Sequence, residues 1–372
     1  MINKIERLVN CKEFLERMSI TGSIEVSEIR KGKVNHIFRI TDVDKGVSYI
    51  LKKSETKLAG LNLPIVSSFD ISTSRNHNEA KVLRYIAEII SAMYVPKVLL
   101  ECEEESFFVM EFLDGYEDVR DVLLNMHVPN NLGESLSSIL ADIYLKTANA
   151  TEEEMGVKNR CMLDVIIMLL IKIPYEEKMV KANKILVDSD FFTKAVKDKE
   201  LMTYVMELAY KLKNSKQALL NGDLHLGSIF YKQGKYKLYD YEFAFKGPVS
   251  YEIGKIIAHF ILAYYYALAE GANDVAEDVL KQIIIFYDSI FCELEKNDAF
   301  SYPRIKDDVL KFCGLELISR VTGILQLKYI MNISDSAIRD KVQKCVFKLG
   351  EEMIKGRFKI NSGKEFVSYV QK

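Results

Sequence analysis

The chain has 372 residues, which at about 150 residues per domain predicts two domains or two lobes that share one site. Its content of 49% hydrophobic, 28% charged and 10% aromatic residues is typical of a soluble globular protein and excludes collagen-like, disordered and disulfide-scaffold chains. The 51 Lys and Arg residues nearly balance the 53 Asp and Glu residues, so neither nucleic acid nor a membrane is expected as a partner.

The first twenty residues have a helical pattern, because apolar residues from Ile5 to Met18 recur at helical spacing between charged ones. This segment has neither the apolar run nor the cleavage signature of a signal peptide. The most apolar stretch, residues 256–269, is shorter than the roughly 18 residues that a membrane span needs. We therefore expect a cytoplasmic protein.

Short β-type segments follow from Ser23, with one helix among them. The pattern predicts three strands, a helix and then a further hairpin, over residues 24–28, 37–42, 48–53, 75–90, 97–101 and 106–112. Beyond Gly115 long helical patterns dominate, over residues 132–148, 162–173, 175–187, 201–212, 251–270, 274–294 and 305–331. One β-rich island, residues 217–245, interrupts them and holds the chemically suggestive residues of the second half.

This order of elements predicts an α+β, protein-kinase-like fold with two lobes. Residues 1–113 would form a small antiparallel-sheet lobe that binds the nucleotide. Residues 114–372 would form a larger, mainly helical lobe that carries the catalytic and metal-binding loops. The six cysteines lie far apart and have no metal-ligand spacing, so we expect reduced, mostly buried thiols and no zinc site.

Three carboxylates lie within twenty residues of one another in the β-rich island, at the ends of short β segments, and could serve phosphoryl transfer. Asp223 lies in Gly222-Asp-Leu-His-Leu-Gly-Ser228, and Asp240 and Glu242 open the segment Asp-Tyr-Glu-Phe-Ala-Phe. Transfer to an alcohol uses one carboxylate for the hydroxyl proton and others for magnesium. In a strand, Asp240 and Glu242 would project to the same side. Alternatively, Asp223 caps a turn and the other two are ordinary charged residues that leave a strand.

These two blocks resemble the methylthioribose kinases, within the wider group of aminoglycoside phosphotransferases and choline kinases. The first is similar to the signature Gly-Asp-Leu-His-Thr-Gly-Ser, and the second, through Pro248, to Asp-Pro-Glu-Phe-Ala-Phe-Tyr-Gly-Pro. The resemblance implies that Asp223 is the catalytic base or the anchor of the substrate hydroxyl. It also implies that Asp240 and Glu242 hold Mg-ATP. His225, Ser228 and Glu252 would support the catalytic loop.

The resemblance extends to the first half of the chain. Residues 28–35 would form the loop over the ATP phosphates, where Gly32 and Asn35 match the family. Lys52 would contact the α- and β-phosphates and pair with Glu79 on the next helix, although a surface position for Glu79 is equally compatible with the sequence. The connector residues would bind adenine through their backbone; these are Met110, Glu111, Phe112 and Leu113.

The acceptor side departs from the family in two places. Where the family has two adjacent arginines near the sugar and the transferred phosphate, this chain has Ser319 and Arg320. The family also has a Trp in the loop that here reads Leu61-Asn62-Leu63-Pro64, and this chain has no Trp. An Arg on a mostly apolar helix needs a partner, so we expect Arg320 to face a site or to pair with Glu316.

The resulting hypothesis is an ATP-dependent kinase for the anomeric hydroxyl of 5-methylthioribose in methionine salvage, with Mg2+ and, by resemblance, a homodimeric assembly. The alternative is a kinase of the same fold for another sugar or amino alcohol: 5-deoxyribose, choline, homoserine or an aminoglycoside. A choline-like acceptor would need a cage for its cation, and Tyr264, Tyr265 and Tyr266 are candidates, although their apolar helix favours core positions. A third possibility is a non-catalytic pseudokinase, which loss of Asp223, Asp240 or Lys52 would have indicated.

Overall fold

A computed structural model of the chain describes residues 2–31, 35–54, 72–157, 159–184, 186–298, 300, 304–323 and 328–372. Gly32 and the loop at residues 61–64 lie outside the described residues. Within the described ranges, ten short strands form a five-stranded sheet and two smaller sheets: β1 Ile24–Lys31, β2 Asn35–Asp42, β3 Val47–Ser54, β4 Val98–Cys102, β5 Phe107–Glu111, β6 Glu117–Asp118, β7 Ala218–Leu220, β8 Ile229–Lys232, β9 Lys235–Leu238 and β10 Phe245–Gly247.

The α-helices lie mostly in the second half of the chain. They are α1 Ile2–Val9, α2 Lys12–Met18, α3 Arg75–Tyr85, α4 Val119–Leu124, α5 Leu132–Thr147, α6 Arg160–Ile167, α7 Glu177–Ala182, α8 Ser189–Ala195, α9 Lys199–Asn214, α10 Val249–Ala269, α11 Asn273–Leu294, α12 Ile305–Thr322, α13 Lys328–Met331, α14 Ser336–Ile354 and α15 Gly363–Val370. Two π-helical segments, Ile86–Ser91 and Met168–Lys172, continue α3 and α6.

The five-stranded sheet is antiparallel, in the order β1-β2-β3-β5-β4. Its register pairs Lys52 of the central strand β3 with Ile37 on one side and Phe108 on the other. Side chains alternate between the two faces of a strand. Leu51 and Val109 therefore pack on α1 and α2 in a small core, and Ile50, Phe108 and Met110 join the main core.

The helical part is organised around α10, which is buried along nearly its whole length. It packs against α11 and α12, and α12 in turn packs against α14. The β-rich island lies at the N-terminal end of α10, since β10 pairs with β7 and ends two residues before the helix begins. Among the described helices, none is both long and apolar enough to cross a membrane.

Several elements differ from the sequence prediction. The helix predicted over residues 175–187 is only the short α7, which follows a 3-10 turn that contains Pro174. The helices α8, α14 and α15 had not been predicted.

The expectation of mostly buried thiols is wrong: all six cysteines are free, but only Cys313 is buried. The exposed thiols lie on the solvent-facing sides of helices or in a turn between them: Cys11, Cys161 and Cys292.

Candidate active site

A cleft of about 630 Å³ lies between the five-stranded sheet and the helical part of the chain. Most of the candidate residues named above line it: Asn35, Lys52, Met110, Glu111, Phe112, Leu113, Asp223, His225, Asp240, Glu242 and Arg320. Ser228 and Glu252 lie behind this surface and are buried, as is Glu79. The structure thus brings to one cavity residues that are separated by almost 300 positions in the chain.

On the sheet side of the cleft, Lys52 lies between two carboxylates. Its Nζ is 2.7 Å from Oε2 of Glu79 on α3 and also contacts Asp240. Burial alone would lower the pKa of Lys52, but the carboxylates of Asp240, Glu79 and Glu242 raise it above its ordinary value. The ammonium therefore stays charged at the centre of the cluster, and the predicted pairing of Lys52 with Glu79 is present.

Glu242 is anchored by groups from two distant parts of the chain. Its Oε2 accepts hydrogen bonds from Arg75 Nε at 3.0 Å and from Asn35 Nδ2 at 2.9 Å, and Arg75 also donates to Asn35 Oδ1. Asn35 was expected at the ATP phosphates; here it lines the cleft and orients Glu242. Burial, reinforced by the charge of Asp240, raises the pKa of Glu242 in spite of its cationic neighbours.

Asp240 and Glu242 do not belong to a strand, which corrects the reason given for their common orientation. Asp240 has a left-handed backbone, with φ of 66°, and residues 241–243 form a 3-10 turn. Asn159 holds this turn, because its Nδ2 donates to the carbonyl oxygen of Glu242 at 2.6 Å. Both carboxylates reach the cleft through the turn rather than through the alternation of a strand.

The segment at residues 221–228, which we call the Asp223 loop, is held in place by a hydrogen bond to Glu252 of α10. The backbone N–H of Gly222 donates to Glu252 Oε1 at 3.0 Å, and the Tyr144 hydroxyl donates to Glu252 Oε2 at 3.0 Å. Gly222 has φ of +87°, and a Cβ there would lie 2.2 Å from the carbonyl oxygen of Phe243. Glycine is therefore needed where the Asp223 loop crosses the turn at residues 240–243, which we call the Asp240 turn.

His225 and Ser228 close the loop on itself. The N–H of His225 donates to the Ser228 hydroxyl at 2.9 Å, and this hydroxyl donates to the carbonyl oxygen of His225 at 2.8 Å. The Nδ1 of His225 accepts from the N–H of Gly227 at 3.0 Å. Burial lowers the pKa of His225 to about 3, so the ring is neutral at pH 7. These bonds agree with a supporting position for both side chains.

Asp223 points into the cleft from this loop and meets two cations. Its Oδ1 accepts from Lys255 Nζ at 2.5 Å and lies 3.7 Å from a terminal nitrogen of Arg320. Burial would raise the pKa of Asp223, but the charge of Lys255, with that of Arg320, holds it below its ordinary value. A third of this side chain, 34%, stays exposed to the cleft. The carboxylate is thus ionised and accessible.

Arg320 satisfies both expectations stated for it. Its Nε donates to Oε1 of Glu316, one turn back on α12, at 2.6 Å, and its side chain also lines the cleft. Ser319, next to it, lines the cleft as well, and its hydroxyl donates to the carbonyl oxygen of Glu316 at 2.9 Å. Beside Asp223 the cleft therefore has Arg320 and, from α10, Lys255, and Arg120 and Lys328 line the cleft as well.

The connector leaves the sheet along the edge of the cleft. Glu111 ends β5, and its N–H donates to the carbonyl oxygen of Lys97 at 2.8 Å. Phe112 and Leu113 follow, the N–H of Asp114 donates to the carbonyl oxygen of Phe112 at 3.0 Å, and a turn at Gly115 leads into β6. Apolar side chains of the sheet and of the β-rich island face this edge: Ile37, Ile50, Met110 and Phe230. They form an apolar slot of the kind in which a planar base packs.

Comparison with known proteins gives this arrangement a family context. No protein-family model matches the chain. The methylthioribose kinase of Exiguobacterium sibiricum is 28% identical to this chain over an alignment 375 positions long. The alignment covers 93% of this chain and 93% of the other. That of Klebsiella pneumoniae (strain 342) is 26% identical and covers 94% of this chain and 92% of its own length. The chain is a relative of the methylthioribose kinases.

The solved structure of choline kinase from Cryptosporidium parvum Iowa II has the same fold as this chain. The two superpose with a TM-score of 0.53 at 12% sequence identity, over 100% of this chain and 99% of the other. The fold is accordingly α+β and protein-kinase-like, with a small antiparallel sheet and a mainly helical remainder. Both the resemblance and the fold class predicted from the sequence motifs are confirmed.

The sequence analysis did not identify three residues that the structure places at the site: Arg75, Asn159 and Lys255. Lys255 had a detectable signal, because it is a lone lysine in the apolar run from Ile253 to Phe260, where an unpaired charge would be costly. Arg75 and Asn159 have no such signal. Each lies at the start of a helix and finds its partner only when the Asp240 turn folds beside it.

Proposed function

We propose that this protein is an ATP-dependent small-molecule kinase that phosphorylates the anomeric hydroxyl of 5-methylthioribose, a reaction of methionine salvage. The observation that carries the proposal is that Asp223 and the Lys52–Asp240 pair line the same cleft. The first provides a proton acceptor and the second a site for phosphates, which together are what phosphoryl transfer to an alcohol requires. The identity of the proposed sugar comes from the names of the relatives, which are methylthioribose kinases.

In this proposal the nucleotide lies along the sheet. Its base fills the apolar slot at the connector, where the backbone of Glu111 to Leu113 is within reach, and its phosphates extend toward Lys52. Glu79 orients the Lys52 ammonium from behind, so the lysine reaches the phosphates without losing its partner. The two lobes, residues 1–113 and 114–372, would each supply one wall of the ATP site.

The residues beside Lys52 suit a magnesium ion. Asp240 and Glu242 place two carboxylates next to Lys52, and burial raises the pKa of Glu79, behind the lysine, to about 7. Among the residues that the structure describes, no three His, Cys, Asp or Glu side chains are grouped as metal ligands. Magnesium usually takes one or two protein carboxylates and completes its shell with phosphates and water. Asp240 and Glu242 would hold it, and it would neutralise charge on the transferring phosphate.

Asp223 would act on the acceptor. As the acceptor oxygen bonds to the γ-phosphorus, the bond from this phosphorus to the β-phosphate oxygen breaks, and ADP keeps its electron pair. The hydroxyl proton passes to the Asp223 carboxylate, which is ionised and open to the cleft. The protein therefore contributes mostly position and charge to the reaction.

The wall beyond Asp223 favours a sugar with an apolar substituent. Ile166, Leu169 and Leu170, at the end of α6 and in the π-helical segment that follows, line the cleft. A methylthio group would pack there without any unpaired polar atom. The two cations beside Asp223 disfavour choline and aminoglycosides, which are themselves cationic. Tyr264, Tyr265 and Tyr266 do not line the cleft, since Tyr264 and Tyr266 are buried in α10 and Tyr265 bonds to the C-terminal helix.

The test is an ATP-consumption screen with magnesium against methylthioribose, ribose, 5-deoxyribose, choline, homoserine and an aminoglycoside. We expect turnover with methylthioribose, and a loss of about 1,000-fold in the Asp223→Asn variant, which keeps the shape of the side chain but cannot take the proton. The variant should bind Mg-ATP as the wild type does. Turnover of another acceptor alone would show that this acceptor, and not methylthioribose, is the substrate. No turnover of any acceptor would overturn the proposal and favour a pseudokinase.

The assembly is a separate part of the proposal. By resemblance to the family we propose a homodimer, and light scattering of the purified protein tests it directly. A mass near the 42.7 kDa of one chain would contradict it.

A further inference from the structure

Lys255 belongs to a group of buried polar side chains beneath the acceptor side of the cleft. We call this group the acceptor-side cluster; it consists of Asp223, Lys255, His259, Glu316 and Arg320. Lys255 is 1% exposed, and its Nζ is 2.5 Å from Asp223 Oδ1 and 4.0 Å from Glu316 Oε1. The Nζ also lies 5.6 Å from the centre of the Tyr251 ring. A lysine held this closely has little freedom to leave the carboxylate.

The charges of the acceptor-side cluster balance before the reaction. Lys255 and Arg320 are its cations, and Asp223 and Glu316 are its anions. Burial lowers the pKa of His259 to about 4, so this ring is neutral at pH 7. Although burial opposes it, the charges of Arg320 and Lys255 keep the pKa of Glu316 well below its ordinary value, so Glu316 is ionised.

Two further ionisable neighbours add no charge at pH 7. His225, on the Asp223 loop, is neutral, and burial raises the pKa of Tyr251 on α10 well above its ordinary value. Glu252, one turn before Lys255 on α10, turns away from it to bond Gly222 and Tyr144. Lys255 and Arg320 are the two cations that form ion pairs with Asp223.

The two cations differ in how they hold Asp223. Arg320 directs its Nε to Glu316, and its nearest nitrogen is 3.7 Å from Asp223, beyond hydrogen-bond length. Lys255 makes the direct hydrogen bond. Both cations approach Oδ1, which leaves Oδ2 for the acceptor hydroxyl.

We propose that Lys255 is a positioning residue for phosphoryl transfer, which fixes the ionised Asp223 carboxylate toward the acceptor and keeps a positive charge beside the new phosphate ester. This inference rests on the proposed function. When the acceptor proton passes to Asp223, the cluster changes from neutral to a net charge of plus one. That charge then lies next to the transferred phosphoryl group, where it stabilises the products and the transition state that precedes them.

The experiment compares Lys255→Met, Lys255→Arg and the control Lys211→Met. Lys211 also pairs with an acidic residue of α12, Asp308, but lies away from the cleft. We expect Lys255→Met to lose about 100-fold in kcat, because the carboxylate is no longer held in place, with the KM for ATP unchanged. The acidic limb of its pH profile should move up by about one pH unit, since Asp223 loses its closest cation.

Lys255→Arg should recover most of kcat and return the acidic limb toward the wild-type position. Lys211→Met should lower thermal stability but leave the pH profile where it is. A folded Lys255→Met enzyme with wild-type kcat and an unmoved acidic limb would overturn the proposal.

A stability cycle separates this inference from the proposed function. Thermal unfolding is measured for the wild type, Lys255→Met, Asp223→Asn and the double variant. If Lys255 fixes Asp223, the loss of Tm caused by Lys255→Met shrinks once Asp223 is already Asn. Equal losses in both backgrounds would overturn the inference even if the kinase is active. A wild type that phosphorylates no acceptor would overturn the proposed function, whatever the outcome of the cycle.

Discussion

Arg75 and Glu242 form a buried ion pair between α3 and the Asp240 turn, with Nε 3.0 Å from Oε2. Both side chains are almost fully enclosed, and Asn35 of β2 contributes to the same network. The pair therefore ties the five-stranded sheet to the segment that carries the proposed magnesium ligands. Arg75 and Asn35 thus hold Glu242 at the cleft, where together with Asp240 it would bind a magnesium ion.

Removal of Arg75 should destabilise the protein strongly. In Arg75→Met the Glu242 carboxylate stays buried without its cation, and the free energy of unfolding should fall by about 3 to 5 kcal/mol. Urea denaturation at pH 7 measures this. The double variant Arg75→Met with Glu242→Gln removes the stranded charge and should recover part of the loss. A loss under about 1 kcal/mol in the single variant would show that the pair does not join the sheet to the turn.

Lys52 should decide whether Mg-ATP binds. In the wild type, Mg-ATP at 100 times its Kd should add about 2.7 kcal/mol to the free energy of unfolding. Lys52→Met should abolish most of this gain, because the phosphates lose their cation. EDTA should do the same in the wild type, since Asp240 and Glu242 would then repel the phosphates. Differential scanning calorimetry measures both.

The matched control for Lys52 is Lys53→Met on the same strand. Lys53 pairs with Glu105, away from the cleft, and should keep the full gain from Mg-ATP. A Lys52→Met variant that is stabilised by Mg-ATP as strongly as the wild type would remove Lys52 from the nucleotide site.

Arg320→Ala should affect the acceptor more than the nucleotide. Arg320 lines the cleft beside Asp223, so the KM for the sugar should rise by about 10-fold or more while the Kd for ATP stays constant. Some loss of stability is expected as well, because Glu316 loses its nearest cation. Arg320→Lys keeps a charge and should be milder in both respects. An unfolded Arg320→Ala chain, with Arg320→Lys fully active, would mean that the arginine is a structural partner of Glu316 alone.

The sequence was informative where a local pattern and a motif coincided. The order of strands and long helices predicted the fold. The apolar strand before Lys52 favoured a buried partner for this lysine, and the resemblance to the family identified that partner as Glu79. Lys255 and Arg75 acquire their partners only through tertiary contacts, which no spacing in the sequence records. The left-handed backbone of Asp240 likewise depends on the turn that Asn159 holds.

Glu252 should make stability depend on pH in an unusual direction. Burial, partly offset by its bonds to Gly222 and Tyr144, raises the pKa of Glu252 to about 7 from an ordinary 4.5. Between these two values the folded state binds more protons than the unfolded state. Its stability should therefore fall as the pH rises through this window, by roughly 3 kcal/mol from this group.

Glu252→Gln isolates this contribution. Glutamine has the shape of the protonated acid, and its side-chain oxygen can still accept from the N–H of Gly222. Relative to the wild type, the variant should gain stability from about pH 5 to pH 7 and then level off, as measured by urea unfolding at several pH values. Glu270→Gln, at the exposed end of the same helix, is the control and should give a constant difference. A constant difference for Glu252→Gln as well would mean that the folded protein keeps this carboxylate ionised, and that its bonds to the Asp223 loop outweigh burial.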